Sequence, residues 1–313
     1  MYYIGIDLGG TNAAAGVVDK DGKILAKAST PTNAKQGTDA IIKAIVTAAN
    51  EALAKSGLTL DKIEGIGIGT PGTLDVEKGI VEYAANLGFE NTPLAKLVGE
   101  HFPGKPVYIE NDANVAGLAE AVAGAAKGTT DSVIITLGTG VGGGIIIGGK
   151  IYSGFNGRGG EIGHIVIMMD GWPCSCGRRG CWEAYASVTG LIKLTKQEME
   201  KDKDSIMWEL AKEKVSGRTA FDAMRRGDKT AKYVVDTYLK YVATGIVDVI
   251  NMLQPEVLSI GGGISKEGDT LLLPIIDYVE KEMFSRNAKT KTKVCIAELG
   301  NDAGIIGAAS LCM

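Results

Sequence analysis

One pattern occurs twice in this chain, and it limits the fold more than any other feature. YYIGID runs into LGGTN, then AAAGVVD, the turn DKDG and KILAKAS. Much later DSVIITL runs into GTGVGGG and then IIIGGKIY. Each copy reads as strand, glycine turn, strand, hairpin turn, strand. The intervals agree as well: Thr11 is eleven residues from Gly22, and Thr139 is ten from Gly149. A repeat this long indicates a duplicated α/β domain and not a solenoid, so two like halves with a cleft between them are expected.

The remaining segments fit that plan. Apolar spacing predicts a helix over roughly 38–56, the strand IEGIGIG running into TPG at 70–72, and the strand PVYIE ending at Asn111 and Asp112. The helix ANVAGLAEAVAGAA comes next. Residues 187–253 are helical by the same criterion; PEVLSI then runs into GGGIS and a helix over 268–284, and VCIAELG leads to a last helix, AGIIGAASLC.

A length of 313 residues suits two domains. Lysine plus arginine (33) against aspartate plus glutamate (37) gives a net charge of −4, with no basic stripe, so nucleic acid is not an expected partner. The N-terminus enters a strand pattern at once and leaves no room for a signal peptide. No apolar run approaches the roughly twenty residues that span a bilayer. A cytoplasmic location, with reduced thiols, is therefore expected, and a disulfide framework is disfavoured.

The glycine turns raise the question of phosphate. Unhindered backbone N–H groups in succession form an anion-binding concavity, to which a threonine hydroxyl adds a donor. Either turn alone reads more simply as a hairpin connection; two at matched positions could clamp a polyphosphate from both sides. GTGVGG also satisfies G-x-G-x-x-G, but the next segment, GIIIGGKIY, is β in character, whereas a dinucleotide site requires a helix there. No Walker-type G-x-x-x-x-G-K-[ST] is present. Asn111 and Asp112 lie at a strand tip before a helix, where either residue can cap the helix. One cap needs only one of them, so a general base is about as well supported as a cap.

A third feature needs a chemical explanation. Residues 164–183, HIVIMMDGWPCSCGRRGCWE, hold one of two histidines and three of five cysteines, with Glu161 just before and Glu183 at the end.

DLGGT at 7–11, EIGH at 161–164 and CSCGRRGCWE at 174–183 together resemble the signatures of the ROK sugar kinases. The resemblance extends over essentially the whole chain, through GTPG, NLGFEN, ENDAN, LGTGVGGG and GGGIS. Within that family it leans toward the bacterial ATP-dependent glucokinases. It implies an α/β, duplicated actin-like (ribonuclease H-like) two-domain fold, with residues 1–113 plus 300–313 as the smaller domain and 114–299 as the larger. The activity implied is phosphorylation of the 6-hydroxyl of D-glucose by Mg·ATP, in a homodimer or higher homo-oligomer. Alternatives are another hexose (N-acetylmannosamine, N-acetylglucosamine or fructose) or a non-catalytic sugar-sensing regulator. Only six residues precede Asp7, which leaves no room for the DNA-binding domain of the family's repressors.

Carried over residue by residue, the resemblance makes Asp112 the catalytic base and Gly72, Asn111, Asp112, Glu161, His164 and Glu183 the sugar site. Asp7, Gly9, Gly10, Thr11, Gly138, Thr139, Gly140, Gly261, Gly262 and Gly263 fall on the ATP side. His164, Cys174, Cys176 and Cys181 are then a closed four-ligand set suited to structural Zn2+, with the second imidazole nitrogen left for a sugar hydroxyl. Arg158 stands where a small residue is expected. His101 reads as a surface residue, and Cys295 and Cys312 as small buried hydrophobes.

Overall fold

The computed structural model describes residues 1–313. Close packing divides them into two units: 1–134 with 144–160 and 297–313, and 135–143 with 161–296. The division runs through two strands of the second repeat, and residues 114–134 fall in the first unit, beyond the expected boundary at 113.

The first unit opens with β1 (Tyr2–Leu8), β2 (Asn12–Asp19), β3 (Ile24–Pro31), α1 (Thr38–Ser56) and β4 (Ile63–Thr70). A small antiparallel sheet, β5 (Thr73–Asp75), β6 (Ile80–Ala84) and β7 (Phe89–Thr92), is followed by α2 (Leu94–Gly99), β8 (Val107–Asn111) and α3 (Asp112–Ala123). No sequence signal marked that small sheet, whose strands are three to five residues long.

The main sheet has the order β3-β2-β1-β4-β8, with β1, β4 and β8 parallel. Its two faces follow from the alternation of strand side chains. Ile4, Ile6, Leu8, Ile66 and Ile68 form one core with Ile41, Ile45 and Ala48 of α1. Burying each such side chain contributes about 1.5–3 kcal/mol. On the other face Tyr3 packs with Ile305 and Ala309 of the last helix, α10 (Ala303–Ser310). The alternating glycines of YYIGID and IEGIGIG let α10 lie against bare backbone. A Cβ on Gly5 would sit 1.9 Å from Ile305 O, and one on Gly67 1.8 Å from Ala308 O. Asp7 shares this α10-facing side.

The second repeat supplies β9 (Ser132–Leu137), β10 (Val141–Ile147) and β11 (Lys150–Ile151). After them come α4 (Trp182–Ala186), α5 (Val188–Lys201), α6 (Met207–Ala211), α7 (Thr219–Arg225) and α8 (Lys229–Leu253). β12 (Val257–Gly261), α9 (Asp269–Glu282) and β13 (Lys293–Ile296) complete it. The sheet order β11-β10-β9-β12-β13 repeats that of the first sheet strand for strand. In the second unit the 25-residue α8 is the spine, capped by Asp228, which accepts from Ala231 N at 2.7 Å. Trp182 of α4 is fully buried and donates from Nε1 to Tyr241 O of α8 at 2.8 Å.

Two expectations change. The second glycine turn is shorter than GTGVGGG suggests: β10 begins at Val141, so Gly142, Gly143 and Gly144 are strand residues. Gly144 is there for packing, since its Cβ would meet Ala113 O of α3 at 2.3 Å. Cys295 and Cys312 are half-buried, not buried, because one lies on an edge strand and the other next to the chain end. His101 is exposed.

Candidate functional site

In the first unit the parallel strands β1, β4 and β8 end level with one another, where ligands bind in open α/β sheets. Asp7 pairs with Gly69, which pairs with Glu110; one step on, Thr70 pairs with Asn111. This register puts DLGGT, GTPG and END side by side. Gly72, at φ 115°, lies in the turn after β4.

At the β8–α3 junction Asn111 is the cap, its Oδ1 accepting from Ala113 N at 2.9 Å. Asp112 is the first helical residue, and its Oδ1 accepts from the same N–H at 2.9 Å. With the cap filled by its neighbour, Asp112 is not needed for that role, and no cation pairs with it. Burial is the main cause raising its pKa above the usual carboxylate value. The side chain nonetheless reaches solvent and the residue is exposed, so only the direction of that shift matters here. Asp7 is also raised, first by burial and second by the Asp112 charge.

A residue the sequence did not single out holds this junction. Glu110 is buried and accepts from Asn111 N at 2.8 Å and Asn114 Nδ2 at 3.0 Å. The alternation of β8 does not mark it, since it falls on the same face as exposed Tyr108. Nearby, the 8–12 turn is closed by Gly9 N donating to Asn12 O (3.0 Å) and Thr32 Oγ1 donating to Gly9 O (2.6 Å). Gly10 and Thr11 are exposed at its tip. Arg158 is not idle bulk: its Nη2 pairs with Glu82 of β6 at 2.6 Å.

The second unit gathers the rest of the predicted residues. Gly138 N donates to Gly140 O at 3.0 Å, closing the 138–140 turn. The start of α5 braces it, with Val188 N donating to Gly138 O (2.9 Å) and Thr189 Oγ1 to Thr139 O (2.8 Å). Glu161 and His164 bracket a single 3₁₀ turn over Ile162–His164.

His164, Cys174, Cys176 and Cys181 place their ligand atoms within 4.8 Å of one another. Cys174 Sγ is 3.6 Å from His164 Nδ1, and Cys176 Sγ is 3.7 Å from Cys181 Sγ. A tetrahedron with Zn–S of about 2.3 Å and Zn–N of about 2.0 Å has edges of about 3.5–3.8 Å, which these two separations match, so the donor set is compatible with zinc. The sulfur separation is far beyond a disulfide bond. Burial pushes the Cys181 thiol up to about 12. Because Nδ1 faces the sulfurs, Nε2 is the nitrogen left over.

Glu183 lies between the metal loop and the glycine turn. Its Oε2 accepts from Val141 N at 3.1 Å and its Oε1 from Ser175 Oγ at 3.1 Å. A Cβ on Gly140 would come 2.3 Å from Oε2, so a side chain there would displace the carboxylate.

Gly261 ends β12 inside the sheet, while Gly262 and Gly263 are exposed. Of the three, Gly263 lines a recess of about 570 Å³, with Val188, Gly217, Arg218, Ile264 and Lys266. The α7-side lining escaped sequence reading because it carries no repeat and no motif.

The chain is similar to known proteins over almost its whole length. The model of the ROK family matches residues 3–313. A glucokinase of Halalkalibacterium halodurans is 38% identical over 309 residues, covering 98% of this chain and 93% of that protein. A glucokinase of Thermotoga maritima is 37% identical over 98% of this chain and 96% of its own. The ROK family glucokinase from Streptomyces griseus, solved in complex with glucose and AMPPNP, superposes with a TM-score of 0.82 at 35% identity, covering 99% of both chains.

Proposed function

The chain belongs to the ROK family, and on that premise we propose that it transfers the γ-phosphoryl group of Mg·ATP to the 6-hydroxyl of D-glucose. One observation carries this: at the ends of three parallel strands, Asp112 is a carboxylate with no cation partner, beside a helix cap that Asn111 already fills. The glucokinase relatives and the glucose and AMPPNP complex of a similar structure support the same substrates.

In this mechanism the 6-hydroxyl donates to Asp112. As O6 attacks the γ-phosphorus, its proton passes to that carboxylate and the bond to ADP breaks. Positioning and charge neutralisation supply most of the acceleration. Asn111 uses Oδ1 as the cap and offers Nδ2 to a sugar hydroxyl. Glu161, Glu183 and His164 Nε2 take others, and the peptide at Gly72 completes the sugar site. Carboxylates gripping vicinal hydroxyls reject a sugar in which one is missing or inverted, because a buried polar group is then left unpaired.

The turns at Gly9–Thr11 and Gly138–Gly140 present N–H groups to phosphate oxygens. Asp7, an acceptor only, suits the Mg2+ that neutralises the triphosphate and not the phosphate itself. The recess beside Gly263, with Arg218 and Lys266 on its walls, suits the nucleoside. His164, Cys174, Cys176 and Cys181 would hold zinc with no open position, so its part is structural. Intracellular reducing conditions, as in the cytoplasm, keep those thiols available. No helix is long and apolar enough to cross a membrane.

The test is kcat/KM for glucose, mannose, fructose, N-acetylglucosamine and N-acetylmannosamine at fixed Mg·ATP, with glucose expected first. An acetylated sugar or fructose ahead by about tenfold keeps a kinase and removes the glucose assignment. No turnover with any sugar would leave a sensor.

A further inference from the structure

We propose that Ser175 is a positioning residue for the sugar-binding carboxylate of Glu183, an inference that rests on the kinase reading above. The backbone of Glu183 is well fixed, because the preceding Trp182 is fully buried and hydrogen-bonded to α8. Its carboxylate, however, ends three rotatable bonds, and a sugar site needs it in one orientation. Two donors provide that. Val141 N holds Oε2 and Ser175 Oγ holds Oε1, each at 3.1 Å. Each oxygen keeps a lone pair for a hydroxyl.

The remaining neighbour cannot do this work. Cys174 Sγ lies 3.6 Å from Oε1, but a metal-bound thiolate has no proton to donate and repels a carboxylate. With metal in place, Ser175 is the one side-chain donor on Oε1. Ser175 is itself placed between two metal ligands, Cys174 and Cys176, so the order of the metal loop reaches the sugar through this hydroxyl.

The test uses the full-length, metal-replete protein. Ser175 is exposed, so Ser175→Ala opens no cavity. A hydrogen bond to a charged acceptor at an open site predicts a glucose KM raised about three- to tenfold. kcat and the KM for Mg·ATP should stay within about twofold, with zinc content unchanged and Ser175→Thr restoring KM. In a Glu183→Ala background the same substitution should add nothing. An unchanged KM with zinc retained overturns the proposal. So does loss of zinc with kcat falling and KM rising together, since Ser175 then acts on the loop as a whole. Wild-type protein that binds no glucose in a direct titration overturns instead the kinase reading beneath it.

Discussion

The glycine turns at 9–11 and 138–140 follow first strands of two sheets with the same order, yet they are held by different means. The first is closed by its own neighbourhood: Thr32, just past β3 of the same strand–hairpin unit, donates to Gly9 O and, through its N–H, to Thr11 O. The second takes its braces from a later insertion. Glu183 reaches it from 42 residues on, and Thr189 from 50. One position earlier the contrast is chemical. Asp7 precedes Leu8-Gly9 where Thr136 precedes Leu137-Gly138. The duplicated scaffold has diverged accordingly: the carboxylates suited to base and metal work sit in the first unit. In the second, the metal loop is tied through Glu183 to the turn.

The hardest test of that division is Asp112→Asn, which should lower kcat about a hundredfold or more and leave glucose binding largely intact. Turnover near wild type would reduce Asp112 to a helix residue. The pH profile gives the same residue a second reading. Asp112 must be ionised to take a proton, so kcat/KM falls as pH falls through its pKa. Burial raises that pKa, so the acid limb should lie above the ordinary aspartate value of 3.8. A raised carboxylate also contributes stability that is full below its unfolded pKa and lost as pH rises through the folded one. At neutral pH, then, Asp112→Asn should not lower the thermal midpoint.

Next in size is the metal. About one tightly held zinc per chain is expected. Cys176→Ser should weaken it more than about a hundredfold, lower the thermal midpoint and raise glucose KM, because the loop beside Glu183 loses its anchor. Elemental analysis finding no zinc in the purified protein would end this assignment.

The smallest effect compares the turns directly. An alanine Cβ at Gly140 collides with the free end of the Glu183 side chain, so the fold survives and the carboxylate moves. Glucose KM should rise about five- to tenfold. A Cβ at Gly10 meets nothing nearer than 3.5 Å, so Gly10→Ala should register only in the KM for Mg·ATP. Equal effects on glucose KM would mean the two turns are equivalent after all.

Much of the fold was legible because local chemistry and tertiary role agreed. α1 runs from Thr38 to Ser56, as its apolar spacing requires, and ends at Gly57 with φ 73°. The sheet duplication followed from two matched strand–turn–strand runs. Where a local pattern had two uses, it misled. Gly142–Gly144 looked like turn residues, but they are strand residues of β10, and α3 packs on Gly144. The strands of β5–β7 are too short to print a period.

The sequence by itself determined most of the element order, the first glycine turn, the clustering of His164 with three cysteines, and Asn111 and Asp112 as candidates for cap and base. Each of those is a matter of residue type at short spacing. Only the tertiary structure decided that Asn111 is the cap, that Glu110 holds the junction, and that Ser175 and Val141 share the Glu183 carboxylate. Those are contacts between segments that the chain separates, or between neighbours that compete for one N–H. A hydrogen bond is settled by about a tenth of a nanometre, a distance that spacing along a chain does not encode.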